Sequence, residues 1–220
     1  MEQLYILPIL LFSVVFHELA HGWMALRLGD TTARDMGRLT LNPIPHIDPI
    51  GSVLVPLLSI VTTGSVFIAW AKPVPVNPTY FQNYKRDDIL VSVVGPISNI
   101  LLALACTIIF IALAFVAALV HNPESLLGQL MDFLLKMFAG GITLNVVLAV
   151  FNMIPIPPLD GSHVVANMLP EDMSHQYRSV GFFGIFIIIF LMRWPPFHAL
   201  FTSIIGTLTF PFHFLIRLFV

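Results

Sequence analysis

Phe16-His17-Glu18-Leu19-Ala20-His21 sets two histidines and a glutamate in an HExxH spacing inside an apolar run. On an α-helix His17 and His21 stand one turn apart on a shared face, so both imidazoles can bind one zinc ion. Glu18 lies beside that face and can accept a proton from an attacking water. A glutamate and two histidines within a would-be membrane span are costly without partners, so by default they mark function. The alternative is that both histidines are polar packing residues between helices and Glu18 is kept neutral.

Composition says what kind of element must carry that motif. The 220 residues have a mean hydropathy of +0.91, with 57% hydrophobic and only 10% charged residues. A soluble domain is about a quarter charged, and several runs here approach the ~20 apolar residues needed to cross a bilayer. The expected class is therefore an all-α polytopic membrane protein in contact with lipid. A net charge of −2 gives no reason to expect a nucleic-acid partner. Cys106 is the single cysteine, which excludes an intrachain disulfide and a cysteine-based zinc site. Met1-Glu2-Gln3 is no basic n-region, so the first span is expected to be kept rather than cleaved.

About five transmembrane helices are expected around a three-helix core. The first span covers 4–28 and ends at Gly29-Asp30; Trp23 and Arg27 near its end suit the membrane interface. Residues 30–50 are polar and proline-rich, with a weak strand signal at Leu39-Thr40-Leu41. Residues 51–70 are apolar but broken by Pro56, Gly64, serines and threonines, and are expected to be re-entrant or to hold a short β element. Ala71–Pro78 is too rich in proline for helix and reads as an extended connector. Asp87 and Asp88 offer N-cap chemistry for a helix that Gly95-Pro96 should break or kink, leaving 97–119 as the second span. The third span is 136–154, where Gly140-Gly141 allow close packing. Residues 1–161 thus form the catalytic membrane core. Residues 162–220 add a short helix and a terminal transmembrane pair, 180–194 and 197–219.

Of ten Lys and Arg residues, six (Arg27, Arg34, Arg38, Lys72, Lys85, Arg86) fall between the first two main spans. The positive-inside rule then puts that region in the cytoplasm and the N-terminus outside. Asp160 emerges on the cytoplasmic side, at the depth of the histidines, only if 51–70 makes an even number of crossings or none.

A catalytic zinc site needs a third protein ligand. At the metzincin position stands Arg27, and no glutamate lies between Glu18 and Glu124. Asp160 is the carboxylate at a plausible depth, although an Asp before Gly after prolines also suits a helix N-cap.

These residues point to a family. HExxH at 17–21 (after Phe16), then Gly95-Pro96-Ile97-Ser98-Asn99 (GPxxN), then Asn152-Met153-Ile154-Pro155-Ile156-Pro157-Pro158-Leu159-Asp160-Gly161 (NxxPxPxLDG) occur in order. Over Phe16–Gly161 the chain resembles the site-2 protease family of intramembrane zinc metallopeptidases, as a compact member without a PDZ or CBS insertion. The resemblance implies one zinc per chain on His17, His21 and Asp160, with Glu18 as general base. Asn152 would hold substrate or oxyanion, and Asn99 would contact substrate; the bland readings are a helix cap and an interhelical hydrogen bond. It also implies cleavage of transmembrane segments of other proteins, in a multi-pass protein of a prokaryotic plasma membrane with its active site toward the cytoplasm. A helical substrate must unwind, and residues 39–70 are expected to offer it an extended edge.

Rival readings are a non-proteolytic member that binds membrane proteins and a metal transporter, though the polar residues converge at one depth. His163, three residues after Asp160, could be a neighbour of the site or an alternative ligand. His46, His121, His175, His198 and His213 are scattered. Cysteine labelling should place His121 outside and Arg38, Lys85 and Glu171 inside. Labelling of Lys85 and Arg38 from opposite sides would break the shared-depth argument.

Overall fold

The computed structural model describes residues 5–54, 71–120 and 122–220, and every regular element among them is helical. In chain order these are α1 (Ile6–Arg27), α2 (Thr32–Asp35), α3 (Tyr84–Ala117), α4 (Leu126–Asn152), α5 (Asp160–Met168), α6 (Glu171–Ser179), α7 (Gly184–Arg193) and α8 (Pro195–Phe219). Helices α1, α3, α4 and α8 are each long and apolar enough to cross a membrane. A bent pair, Glu171–Ser179 with Gly181–Arg193 at 63°, would make a fifth span if it counts as one.

Helix α1 ends as its sequence predicts. Gly29 has φ +104°, and its N–H bonds the Leu26 carbonyl while Asp30 N–H bonds the Ala25 carbonyl. That crossed pair is a Schellman end, which needs a left-handed residue and so favours glycine. Two expectations are corrected at α3. The cap is Asn83, whose Oδ1 accepts the Arg86 N–H, while Asp87 reaches back to the Asn83 N–H and Asp88 turns inward. The helix also runs unbroken through Gly95-Pro96 for 34 residues. At ~1.5 Å per residue it is ~51 Å long, well beyond the hydrocarbon thickness. Tertiary packing overrides the proline: α3 is the central helix and touches α1, α4, α5 and α8 along its length.

The strand expectations also fail. Leu39–Leu41 is irregular, and no strand occurs among the described residues. Pro49–Leu54 is a π-helical turn, which does not support a β element; residues 55–70 lie outside the described residues. Lys72 N–H donates to the His46 carbonyl, which brings residues 46 and 72 together. Beyond it the connector is extended, because its backbone groups find partners outside any ladder. Arg38 Nη2 donates to the Lys72 and Pro73 carbonyls, and Asp30 Oδ2 accepts the Asn77 N–H.

The terminal pair is shorter at its start than expected. Helix α7 has 10 residues, and residues 181–183 form a 3-10 turn from Gly181, whose φ is +46°. The third span begins ten positions earlier than the sequence predicts, at Leu126, capped by Ser125 accepting from the Gly128 N–H.

Where α1 meets α4, the small residues set the approach. A Cβ on Gly141 would come 2.9 Å from Ile9 and 3.1 Å from Cys106 Sγ, the residues that with Ile142 form the buried cluster there. Gly141→Val should lose about 1–3 kcal/mol through overpacking, read as a fall in melting temperature of the detergent-solubilised protein. Gly206→Val, where an added Cβ meets nothing within 4 Å, serves as the control. Equal melting of the two variants would contradict the α1–α4 contact.

Candidate active site

Helix α1 delivers His17 and His21 from successive turns, and both are buried. Their rings meet edge to face at 83°, with Nε2 atoms 3.0 Å apart. The outward nitrogens have fixed partners. His21 Nδ1 lies 2.7 Å from the Val91 carbonyl, and His17 Nδ1 lies 2.5 Å from Asn99 Oδ1. A backbone carbonyl can only accept, so His21 carries its proton on Nδ1. The Asn99 amide is oriented by a chain that ends on another backbone carbonyl. Asn99 Nδ2 donates to Asn145 Oδ1, and Asn145 Nδ2 donates to the Gly141 carbonyl. With Asn99 Oδ1 thus facing His17, that imidazole is also the Nδ1–H tautomer. Both Nε2 lone pairs therefore turn inward.

The third group comes from α5. Asp160 is its first residue, but Leu159 occupies the cap position and no side chain caps the helix, so Asp160 is not an N-cap here. Its Oδ2 lies 3.1 Å from His17 Nε2 and 3.4 Å from His21 Nε2, and is buried without a hydrogen-bond donor. Two inward lone pairs and a carboxylate oxygen repel one another unless a proton or a cation stands between them. Ligands at ~2 Å around a tetrahedral ion are roughly 3.3 Å apart, close to the three separations here. The donor set fits a metal ion, and His17, His21 and Asp160 could hold one.

Two motif glycines have steric reasons. A Cβ on Gly95 would collide with both imidazoles, 2.7 Å from His17 Cε1 and closer still to His21. One on Gly161 would strike the Met153 carbonyl, so only glycine lets the 153–159 loop fold back on the start of α5. From outside, Tyr177 Oη donates to the Pro155 carbonyl at 2.7 Å.

Glu18 is half-buried and its Oε2 accepts the Val74 N–H at 2.7 Å, so the extended connector passes directly beside the carboxylate. Asn99 is fully buried between His17 and Asn145, which makes the interhelical hydrogen bond its observed contact. Asn152 ends α4 with Nδ2 donated to the Leu148 carbonyl of its own helix. His163 is not with the other ligands; it meets Asp88. His46 is buried against the Thr40 carbonyl, His175, His198 and His213 are exposed, and His121 lies outside the described residues. Sequence reasoning missed Asn145, the Val91 carbonyl and the Val74 amide. Asn145 alone carried a signal, as a polar residue inside an apolar span.

The sequence profile described as "Peptidase family M50" matches residues 5–192. The chain is 36% identical over 205 residues to "Putative zinc metalloprotease YwhC" of Bacillus subtilis, covering 89% of this chain and 86% of that protein. It is 28% identical over 202 residues to "Putative zinc metalloprotease Rip2" of Mycolicibacterium smegmatis, covering 89% of this chain and 69% of the relative. The protein of the same name from Mycobacterium tuberculosis is 27% identical over 195 residues. No solved structure gives a significant match.

Removing the acceptor on His17 should free its tautomer. Asn99→Ala is expected to weaken binding of a divalent ion about 10–100-fold, the usual effect of losing such a partner, measured by chelator competition. Asn145→Ala, one bond further out, should do less. Unchanged affinity in Asn99→Ala would contradict the tautomer argument.

Proposed function

Because the chain belongs to peptidase family M50, we propose that it is a multi-pass membrane zinc endopeptidase that cleaves transmembrane segments of other proteins. The observation that carries this reading is the convergence of two Nε2 lone pairs and Asp160 Oδ2 within the bundle, with Glu18 beside them. One zinc per chain on His17, His21 and Asp160 would polarise the scissile carbonyl and ease ionisation of the attacking water.

The remaining steps belong to the chain's own residues. Glu18 takes a proton from the water as its oxygen bonds to the carbonyl carbon. It returns that proton to the amide nitrogen as the C–N bond breaks, so one carboxylate serves as base and then acid. The Val74 N–H holds Oε2 and limits how the carboxylate turns. Asn152 is assigned to substrate or oxyanion by family resemblance, and its Nδ2 would leave the Leu148 carbonyl to serve there. Asn99 is better assigned to His17 than to substrate. The burial of the histidines limits water and strengthens these charge interactions. The enzyme would sit in a prokaryotic plasma membrane, N-terminus outside, with the site toward the cytoplasm.

Glu18→Gln keeps shape but removes the base. With a purified transmembrane substrate segment, its turnover should fall at least 10²–10⁴-fold, while zinc content by elemental analysis stays at the wild-type level. Phenanthroline should stop the wild type, and added zinc should restore it. An active Glu18→Gln protein would rule out the assigned role.

A further inference from the structure

We propose that Asp88 is a positioning residue for Asp160, acting through α5; this rests on the metal reading of the site given above. Asp88 is buried, one helical turn into α3, and does not cap its helix. Its carboxylate instead collects donors from two other helices. His163 Nδ1 lies 3.1 Å from Oδ1, Asn167 Nδ2 lies 2.5 Å from Oδ2, and Arg178 Nη2 lies 3.0 Å from Oδ2. Arg178 also reaches Asn167 Oδ1 at 3.3 Å. His163 and Asn167 are both on α5, three and seven residues after Asp160, so they share its face of that helix.

Asp160 itself has no hydrogen bond holding its inward oxygen, and no cap holds its helix end. The direction of its side chain is therefore set by where α5 lies. Asp88 fixes α5 to α3 through a charge-assisted cluster around its own buried carboxylate, the kind of contact that is strong and geometrically selective. The same stripe of α3 serves the other two ligands. Positions 88, 91, 95 and 99 follow helical spacing on one face, with Val91 on His21, Gly95 against both rings and Asn99 on His17. One rigid helix face thus sets the separation of all three ligands, and Asp88 is its link to the third.

The test is a double-mutant cycle on zinc affinity in the full-length protein, by chelator competition up to millimolar zinc. Asp88→Ala should weaken zinc binding about 10–100-fold, as loss of an outer partner does, and Asp88→Asn should retain most of it. In an Asp160→Ala background, Asp88→Ala should change affinity less than about twofold, because its effect passes through Asp160. An equal loss in both backgrounds would mean a general structural role and overturn the proposal. So would wild-type affinity in folded Asp88→Ala. If that variant does not fold, the pair His163→Ala with Asn167→Ala leaves Asp88 on Arg178 and must show the same cycle. A wild type that binds no zinc would remove the metal reading itself, and this proposal with it; zinc-binding wild type with a failed cycle removes only this proposal.

Discussion

Two imidazoles held with their Nε2 atoms 3.0 Å apart, against a buried carboxylate oxygen, are the constraint on which the rest of this structure depends. Alone, that arrangement is repulsive. It persists in the fold because each outward Nδ1 is tied to an acceptor that cannot reverse. For His21 that acceptor is the Val91 carbonyl; for His17 it is Asn99, oriented in turn by Asn145 and the Gly141 carbonyl. The protein thus presents a preformed set of electron pairs, for which a cation is the natural partner.

Much of the remaining architecture follows from keeping α1, α4 and α5 registered on α3. Gly95 lets α3 approach the imidazoles, and Gly141 lets α4 approach α1, so both helices come near enough for the Asn145–Asn99–His17 chain to close. Gly161 lets the proline-rich loop turn back under Met153, which starts α5 with Asp160 facing the histidines. Glu18 alone is governed from elsewhere, by the Val74 amide of the connector. The connector is itself clamped by Arg38 and Asp30, so the polar loop after α1 acts on the site through one backbone N–H.

The parts of the site set by local spacing were legible in the sequence. His17 and His21 share a face because helices repeat every 3.6 residues, and Gly29 ends α1 because its backbone must turn left-handed. The partners were not legible, because they depend on which helices touch. Val91 contributes a carbonyl that any residue would supply, and Asp88 reads as a helix cap until α5 is seen against it. Pro96 misled for a related reason. Its local preference is to break or kink a helix, but packing on several sides carries α3 through it without a break. The strand at 39–41 rested on a weak propensity, and there the Thr40 carbonyl meets the His46 ring rather than a neighbouring strand.

The central claim is that one metal ion is held by two imidazoles of α1 and the carboxylate of α5. Zinc K-edge X-ray absorption on the purified full-length protein tests it most directly. Two imidazole nitrogens at about 2.0–2.1 Å, with oxygen completing the shell at about 2.0–2.2 Å, are predicted, and Asp160→Ala should alter the oxygen shell while leaving the two imidazoles. A spectrum with fewer than two imidazoles, or one unchanged by Asp160→Ala, would contradict the account.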